Sequence, residues 1–438
     1  MPDSKHPMKS NSNSMREDWR FLLFLCLFIS IICILYWSII GWDSMDTNMS
    51  RLDTVNTLLE TKEFQSSYAF LTVMYYAAWA WIFGTSPVVF KISLLVVYCV
   101  AGIVIYFAAK GMFHDRWAGR IASVVLASSP LLYQQTLTVG YELLSACAVS
   151  LILLTAVRAS REQTLLSAGT VGLIAGLAAL VKSAIGFVGF MLIPYFVLLR
   201  FFDKGQGNIW KRCIVTMTLF AVPLALWMTR NRIEYGYFAM GDPAYSGYTL
   251  FYGNNPWATK GFGMVYTPEA RAYEQAIRDS VPPGDSIALG NAFREDVKKT
   301  IRSDPFFWLV GMGIKKIWCG LKFYSREEIL HWGPLMGLAL FGLWVLPRWG
   351  KHTLIVHLIF LYYLMMTYIF FGFSRFRVAY IPVLVLAATS AVLWVSARLD
   401  RRRLMIAVAA YASIFIVAYA FAKPLRELWH FFIPQLRM

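Results

Sequence analysis

The sequence predicts an all-α membrane protein that crosses the bilayer many times. Apolar residues make up 58% of the 438 positions, charged residues only 15%, and the mean hydropathy is +0.54. Soluble globular domains carry about 25% charged residues. The apolar residues also come in long blocks, which disordered chains and coiled coils lack. A soluble enzyme, a coiled coil and a disordered chain are therefore excluded.

Eleven apolar stretches approach the roughly 20 residues that a helix needs to cross a bilayer. They cover residues 21–40, 86–109, 118–135, 141–157, 164–181, 184–202, 212–229, 333–347, 353–371, 378–397 and 404–421. A twelfth stretch, Tyr68–Phe83, is rich in tyrosine and tryptophan. We expect it to lie at the membrane surface, because a further crossing there would move most Lys and Arg clusters to the outer side.

The charge pattern predicts the topology. The net charge is +16, which in a membrane protein reflects basic cytoplasmic loops more often than nucleic-acid binding. With the N-terminus in the cytoplasm, that side receives the clusters within residues 5–20, 110–120, 158–161, 200–212, 348–351 and 398–403. We therefore expect no nucleic-acid partner, and we expect the loops 41–67 and 230–332 on the outer side.

The chain divides into four parts. These are a cytoplasmic tail (1–20), a transmembrane module (21–229) with the first outer loop (41–67) and an interfacial helix (68–83), a large outer loop between helices 7 and 8 (230–332), and C-terminal transmembrane helices (333–438). Inside the large loop, Thr267 and Pro268 predict the start of a helix, as N-cap and first helical residue. A second helix is expected over 286–302, and a helix at the membrane interface over 306–323.

Acids and cations that could carry chemistry gather on the outer side. A carboxylate there can take a proton from an acceptor hydroxyl, and basic side chains can neutralise a phosphate leaving group. The candidates are the acids Asp43, Asp46 and Glu142 and the cations Lys182, Arg230, Arg375 and Arg377. An Asp in a polar loop is usually only solvated, and Lys182 could simply reach for the interface. Glu142 resists such an explanation, because an unpaired carboxylate beside an apolar run is costly.

The cysteine and histidine spacing gives little support for a metal site or for disulfide bonds. The six cysteines form no CxxC pair and lie in or beside apolar segments, and the six histidines lack zinc-ligand spacing. We predict no metal-ligand residues and no cofactor, while a divalent metal stays open.

Five stretches together resemble the GT-C superfamily of polyprenyl-phosphate-sugar glycosyltransferases. The similarity is greatest to the branch with protein mannosyltransferases, aminoarabinose transferases and rhizobial lipopolysaccharide-core transferases. In the family's order, the stretches are Trp42–Asp46 with Leu58–Glu60, Gly176–Lys182, Trp227–Asn231, Tyr252–Pro256, and Ser374–Arg377 with Pro382. Where aminoarabinose transferases carry Glu-Lys-Pro-Pro, this chain has Gln65-Ser66-Ser67-Tyr68, so the resemblance leaves the sugar and the acceptor open.

The resemblance implies a role for each candidate. It makes Asp46 the catalytic base, with Asp43 in reserve, and Glu142 a second acid. It also implies a GT-C-like fold in the bacterial inner membrane with the active site facing the periplasm. Arg230, Arg375, Arg377 and Lys182 would then hold the donor phosphate.

The leading hypothesis is an inverting glycosyltransferase that moves a sugar from a polyprenyl-phosphate donor to lipid A, a glycan, a lipid-linked intermediate or a protein. One alternative is an O-antigen ligase or polymerase, which should tolerate replacement of Asp43 and Asp46. The other is a lipid-linked glycan flippase or transporter, which would need a charged path through the bundle. The apolar stretches offer few such charges.

Overall fold

A computed structural model describes residues 12–42, 49–62, 64, 70–202, 209–258, 261, 263–322, 326–372, 374–400, 402–414 and 416. This part of the chain is almost wholly helical and forms no β-strand. The first half contains α1 (Ser12–Ile40), α2 (Met49–Thr61), α3 (Phe70–Phe83), α4 (Pro87–Phe113), α5 (Arg116–Ala127), α6 (Pro130–Tyr133), a 3₁₀ turn (Gln134–Leu137), α7 (Glu142–Glu162), α8 (Leu165–Val181), α9 (Ser183–Gly186), α10 (Val188–Phe202) and α11 (Ile209–Tyr235).

The second half begins with the large loop. Its helices are α12 (Pro243–Gly253), α13 (Pro268–Asp279), α14 (Ser286–Ser303), a π-helical segment (Phe307–Met312) and α15 (Gly313–Leu321). After these come α16 (Arg326–Val345), 3₁₀ turns (Leu346–Trp349 and Lys351–Thr353), α17 (Leu354–Ile369), a 3₁₀ helix (Ser374–Tyr380) and α18 (Ile381–Ser396). Residues 402–414 are again helical.

Seven helical segments of the described chain are long and apolar enough to span a membrane, which makes this a multi-pass membrane protein. They are Met15–Ile40, Pro87–Phe113, Glu142–Glu162, Ser183–Phe202, Ile209–Tyr235, Lys351–Ile369 and Arg375–Ser396. The other four expected spans differ. Stretch 118–135 breaks after Ala127, α8 has only 17 residues, α16 begins with Arg326, Glu327 and Glu328, and 404–421 extends beyond the described residues.

Small residues let α8 and α11 touch backbone to backbone. A Cβ atom on Gly172 would lie 2.1 Å from the carbonyl oxygen of Thr216, and one on Gly176 would lie 2.6 Å from that of Phe220. The glycines are four positions apart, so both fall on the face of α8 that meets α11. Close approach of this kind stabilises helix pairs in lipid, where hydrophobic association is weak. It fixes the end of α8, and therefore Lys182.

The two ends of the bundle are chemically distinct. At one end, Asp18 of α1 pairs with Lys110 of α4 at 2.5 Å, and Glu17 pairs with Arg116 at 2.9 Å. At the other end, which we call the site end, α1 finishes, α4 and α7 begin and α8 finishes. The helix α3 is hydrogen-bonded to this end, through Thr72 to the carbonyl of Val181 (2.9 Å) and Tyr76 to that of Gly140 (2.7 Å). These contacts fit the expected interfacial helix.

The large loop packs around a small core of its own. Phe251, Met264, Ala270, Phe293 and Val297 form this core, and α12 lies directly on α14. The predicted start of α13 is confirmed: the Thr267 side chain accepts a hydrogen bond from the Ala270 amide at 3.2 Å, and Pro268 is the first helical residue. The predicted second helix is confirmed as α14, which Asp285 caps.

Candidate functional site

Glu142 is the buried acid of the site end. It opens α7, where the helix dipole favours a negative charge. Its side chain is 3% exposed, and Oε2 has no hydrogen-bond partner. A buried acceptor without a partner costs about 1–3 kcal/mol, more when it is charged. Such a group in a native protein calls for an explanation, such as a ligand that binds it.

Lys182 lies beside the start of α7. It ends α8 and is 9% exposed. Its ammonium lies over two aromatic rings, 4.3 Å from the ring centroid of Tyr141 and 4.7 Å from that of Phe376. Cation–π contacts of this kind stabilise a cation beside aromatic rings. The structure thus brings Lys182 next to the residue that precedes Glu142.

Arg375 and Arg377 lie in different surroundings although only one residue separates them. Arg375 is exposed and lies over the Phe376 ring at 5.9 Å. Its positive charge opposes the rise that burial causes in the pKa of Tyr252, which places it near the large loop. Arg375 therefore lies between the large loop and Lys182, with its side chain accessible.

Arg377 is fully buried. Its guanidinium donates to the backbone carbonyls of Gly320 (2.7 Å) and Lys322 at the end of α15, and lies 4.6 Å from the ring centroid of Trp332. Helix C-termini carry unsatisfied carbonyls and partial negative charge, which an arginine satisfies well. This geometry ties Arg377 to the end of α15, while its predicted role in phosphate binding stays a prediction.

Arg230 anchors the end of the first loop. Its guanidinium donates to the carbonyl of Phe64 at 2.9 Å and lies 4.9–5.6 Å from the rings of Phe64, Trp227 and Tyr235. Tyr235 donates to the same carbonyl at 2.6 Å. Much of the hydrogen-bonding capacity of Arg230 is thus directed at the protein itself.

The two first-loop acids, Asp43 and Asp46, lie outside the described residues. The points where the chain enters and leaves this part of the loop are described. Trp42 immediately precedes Asp43, and Trp42 and Gly41 bind a fully buried lysine, Lys91 of α4. Sequence analysis did not find this contact, because it depends on how α4 packs against the end of α1.

A run of aromatic rings joins the large loop to Lys182. Ring centroids of Tyr266 and Tyr252 are 6.0 Å apart, those of Tyr252 and Phe371 5.0 Å, and those of Phe371 and Phe376 5.2 Å. Tyr266 is 47% exposed, whereas Phe371 is buried. The exposed end of this run is suited to stack on an apolar face of a substrate.

A buried cation anchors the large loop. Lys316 of α15 is 1% exposed, and its ammonium lies 2.5 Å from Oδ1 of Asn254 and 3.4 Å from the carbonyl of Ile369. Burial lowers its pKa to about 7. Asn254 also donates to the carbonyls of Leu250 and Ile369. The asparagine of the Gly-Asn-Asn-Pro motif therefore ties the loop to the end of α17.

Among the described residues, no group of three or more His, Cys, Asp or Glu side chains could hold a metal ion. Asp43 and Asp46 lie outside that part of the chain, so a divalent metal stays open.

The chain is similar in sequence to one protein family and in fold to several solved structures. Residues 68–227 match the family of dolichyl-phosphate-mannose-protein mannosyltransferases. No curated protein matches the chain in sequence.

Solved structures of an oligosaccharyltransferase from Archaeoglobus fulgidus share the fold. One, tethered with an acceptor peptide, has 15% identity and a TM-score of 0.55 over 92% of this chain and 55% of its own. Another, AglB with an inhibitory peptide and a dolichol-phosphate, has 15% identity and a TM-score of 0.53 over 94% and 55%. A third, in complex with Zn and sulfate, has 17% identity and a TM-score of 0.54 over 91% and 52%.

This chain thus spans about half the length of those oligosaccharyltransferases. The structural match covers nearly all of the chain, and the family match covers α3 through most of α11. The predicted resemblance is confirmed: the chain has the polytopic helical fold of the GT-C glycosyltransferases and resembles that superfamily.

Proposed function

We propose that this protein is an inverting glycosyltransferase that takes its sugar from a polyprenyl-phosphate donor. One observation carries the proposal. Lys182 lies over the rings of Tyr141 and Phe376, Arg375 lies over Phe376, and the buried Glu142 directly follows Tyr141, at the end of the bundle where α1 leads into the first loop. Acid, cations and aromatic rings are the groups that transfer of a sugar from a lipid phosphate requires.

The cations would act on the leaving group. Lys182 and Arg375 would bind the phosphate of the donor, because both cations lie against the Phe376 ring at the site end. Dolichol-phosphate in the AglB structure is a ligand of the same chemical type. As the bond between the anomeric carbon and the phosphate oxygen breaks, negative charge grows on that oxygen, and nearby cations stabilise it.

The acids would act on the acceptor. Asp46, with Asp43 as the alternative, would take the proton of the acceptor hydroxyl. The acceptor oxygen then attacks the anomeric carbon from the side opposite the phosphate, and polyprenyl phosphate leaves with the bonding electrons. One C–O bond forms and one breaks, so the configuration inverts. Glu142 would serve as the second acid at the start of α7.

The location follows from the same reasoning. The opposite end carries the basic residues Lys110, Arg116, Arg158 and Arg161, as expected for a cytoplasmic face. We place the site end in the periplasm of a bacterial inner membrane. The acceptor is an envelope molecule: lipid A, a glycan, a lipid-linked intermediate or a protein.

The test uses the purified protein in liposomes with a panel of undecaprenyl-phosphate hexoses and pentoses and an envelope extract as acceptor source. Mass spectrometry follows release of undecaprenyl phosphate. Protein-dependent release of the free lipid phosphate supports the proposal. Turnover only of pyrophosphate-linked oligosaccharides, unaffected by Asp43→Asn and Asp46→Asn, would indicate a ligase instead. Donor movement between leaflets without release would indicate a flippase.

A further inference from the structure

Lys91 combines complete burial with two hydrogen bonds to the root of the first loop. It lies one turn inside α4 and is 0% exposed. Its ammonium donates to the carbonyl oxygens of Gly41 (3.0 Å) and Trp42 (2.5 Å), and lies 6.0 Å from the ring centroid of Trp37. Trp37 lies in the last turn of α1, and Gly41 and Trp42 are the two residues that follow this helix.

We propose that Lys91 is a positioning residue that sets the direction in which the first outer loop leaves α1. The inference rests on the proposed function, in which that loop supplies the catalytic base. A lysine that merely reached for the interface would leave its ammonium in water. This ammonium points into the protein instead, and a buried cation is too costly to keep unless it has a specific task.

The chemistry of the contact explains its strength. The end of α1 carries the negative end of the helix dipole, which favours a cation beside it. Gly41 has a φ of 111°, a left-handed conformation in which the chain turns away from the helix. Lys91 binds two consecutive carbonyls, those of Gly41 and Trp42, directly after the helix end, so the turn and the helix end are fixed together.

The Lys91 contacts would affect the position of the candidate base through the chain itself. The carbonyl carbon of Trp42 is bonded directly to the backbone nitrogen of Asp43, and Asp46 follows three residues on. A displacement of about 1 Å at a reacting group can lower a rate by roughly 100-fold. Loss of the Lys91 contacts should therefore slow the chemical step while leaving donor binding, which we assign to Lys182 and Arg375, nearly unchanged.

The test compares Lys91→Met, Lys91→Arg and Lys91→Gln in the liposome assay with the undecaprenyl-phosphate sugar that the wild type turns over. We expect kcat to fall roughly 100-fold in Lys91→Met, with the KM for the donor within about threefold of wild type. Lys91→Arg should recover about tenfold of this loss, because a guanidinium can donate to both carbonyls. The matched control is Lys110→Met at the other end of α4, where kcat should stay within about twofold.

Three results would overturn the inference. The first is wild-type kcat in folded Lys91→Met. The second, if Lys91→Met does not fold, is wild-type kcat in folded Lys91→Gln. The third is full activity of both single variants, Asp46→Asn and Asp43→Asn. Neither aspartate would then be the base, so Lys91 would have no base to position. An inactive Asp46→Asn beside a fully active Lys91→Met would refute only the role of Lys91.

Discussion

Replacing Lys316 with methionine should remove a pH dependence of stability that burial imposes. Lys316 is 1% exposed, and burial lowers its pKa from 10.5 to about 7. The folded state therefore prefers the neutral amine. Between pH 7 and pH 10.5 the unfolded chain binds one proton more at this site, so stability rises with pH across that window. Below pH 7 the cost of the buried charge is fully present.

The size of the effect follows from the shift. One pKa unit corresponds to about 1.4 kcal/mol, so a shift of about 3.5 units amounts to roughly 5 kcal/mol. Between pH 7 and pH 9 the wild type should gain about 3 kcal/mol from this residue alone. Methionine does not titrate. The Lys316→Met variant also loses the hydrogen bond to Asn254, which lowers its free energy of unfolding by about the same amount at every pH.

The assay is denaturant unfolding of the detergent-solubilised protein, followed by tryptophan fluorescence, at pH 6, 7, 8 and 9. The difference in the free energy of unfolding between wild type and Lys316→Met should change steeply above pH 7 and stay constant below pH 7. The matched control is Lys315→Met, the exposed neighbour on α15, whose curve should run parallel to that of the wild type. Parallel curves for wild type and Lys316→Met would refute the reasoning.

Two further predictions concern topology and donor binding. A cysteine at Ser246 should react with an impermeant maleimide from outside the intact inner membrane, and one at Arg402 only after permeabilisation; the reverse pattern would contradict the assigned orientation. Arg375→Gln should weaken undecaprenyl-phosphate binding, measured by microscale thermophoresis, by about tenfold or more, because hydrogen bonds to charged groups contribute about 1.5–3 kcal/mol. Arg230→Gln should mainly lower turnover, since Arg230 holds Phe64, and the exposed control Arg232→Gln should bind normally. Donor affinity that is unchanged in Arg375→Gln would leave Lys182 as the principal phosphate ligand.

Local chemistry made parts of the fold predictable. The Thr267–Pro268 pair marked the start of α13, because an N-cap hydroxyl and a proline act within one turn. Hydropathy predicted all seven helical segments that are long and apolar enough to span a membrane, together with four stretches that differ from the structure. The break at Pro130 was less visible, since the apolar composition continues across it although the helix stops.

The candidate site was predictable only in part, because some of its contacts depend on how distant helices pack together. Composition and motif order brought out Glu142, Lys182 and Arg375, and the structure places all three at one end. The different surroundings of Arg375 and Arg377 could not be read from neighbouring positions, because they depend on where the end of α15 packs. Lys91 was missed as a loop anchor because its partners are backbone carbonyls, which leave no trace in the sequence.

The central claim is that a first-loop aspartate is the base for sugar transfer, and Asp46→Asn tests it most directly. The purified variant is compared with wild type and with Asp53→Asn, a control on an exposed position of α2. A positioned general base contributes about 10²–10⁴-fold in rate. We predict a loss of this size in Asp46→Asn with donor binding nearly intact, and a mild effect in Asp53→Asn. Full activity of Asp46→Asn with a dead Asp43→Asn would move the base to Asp43. Full activity of both would contradict the account and leave Glu142 as the base.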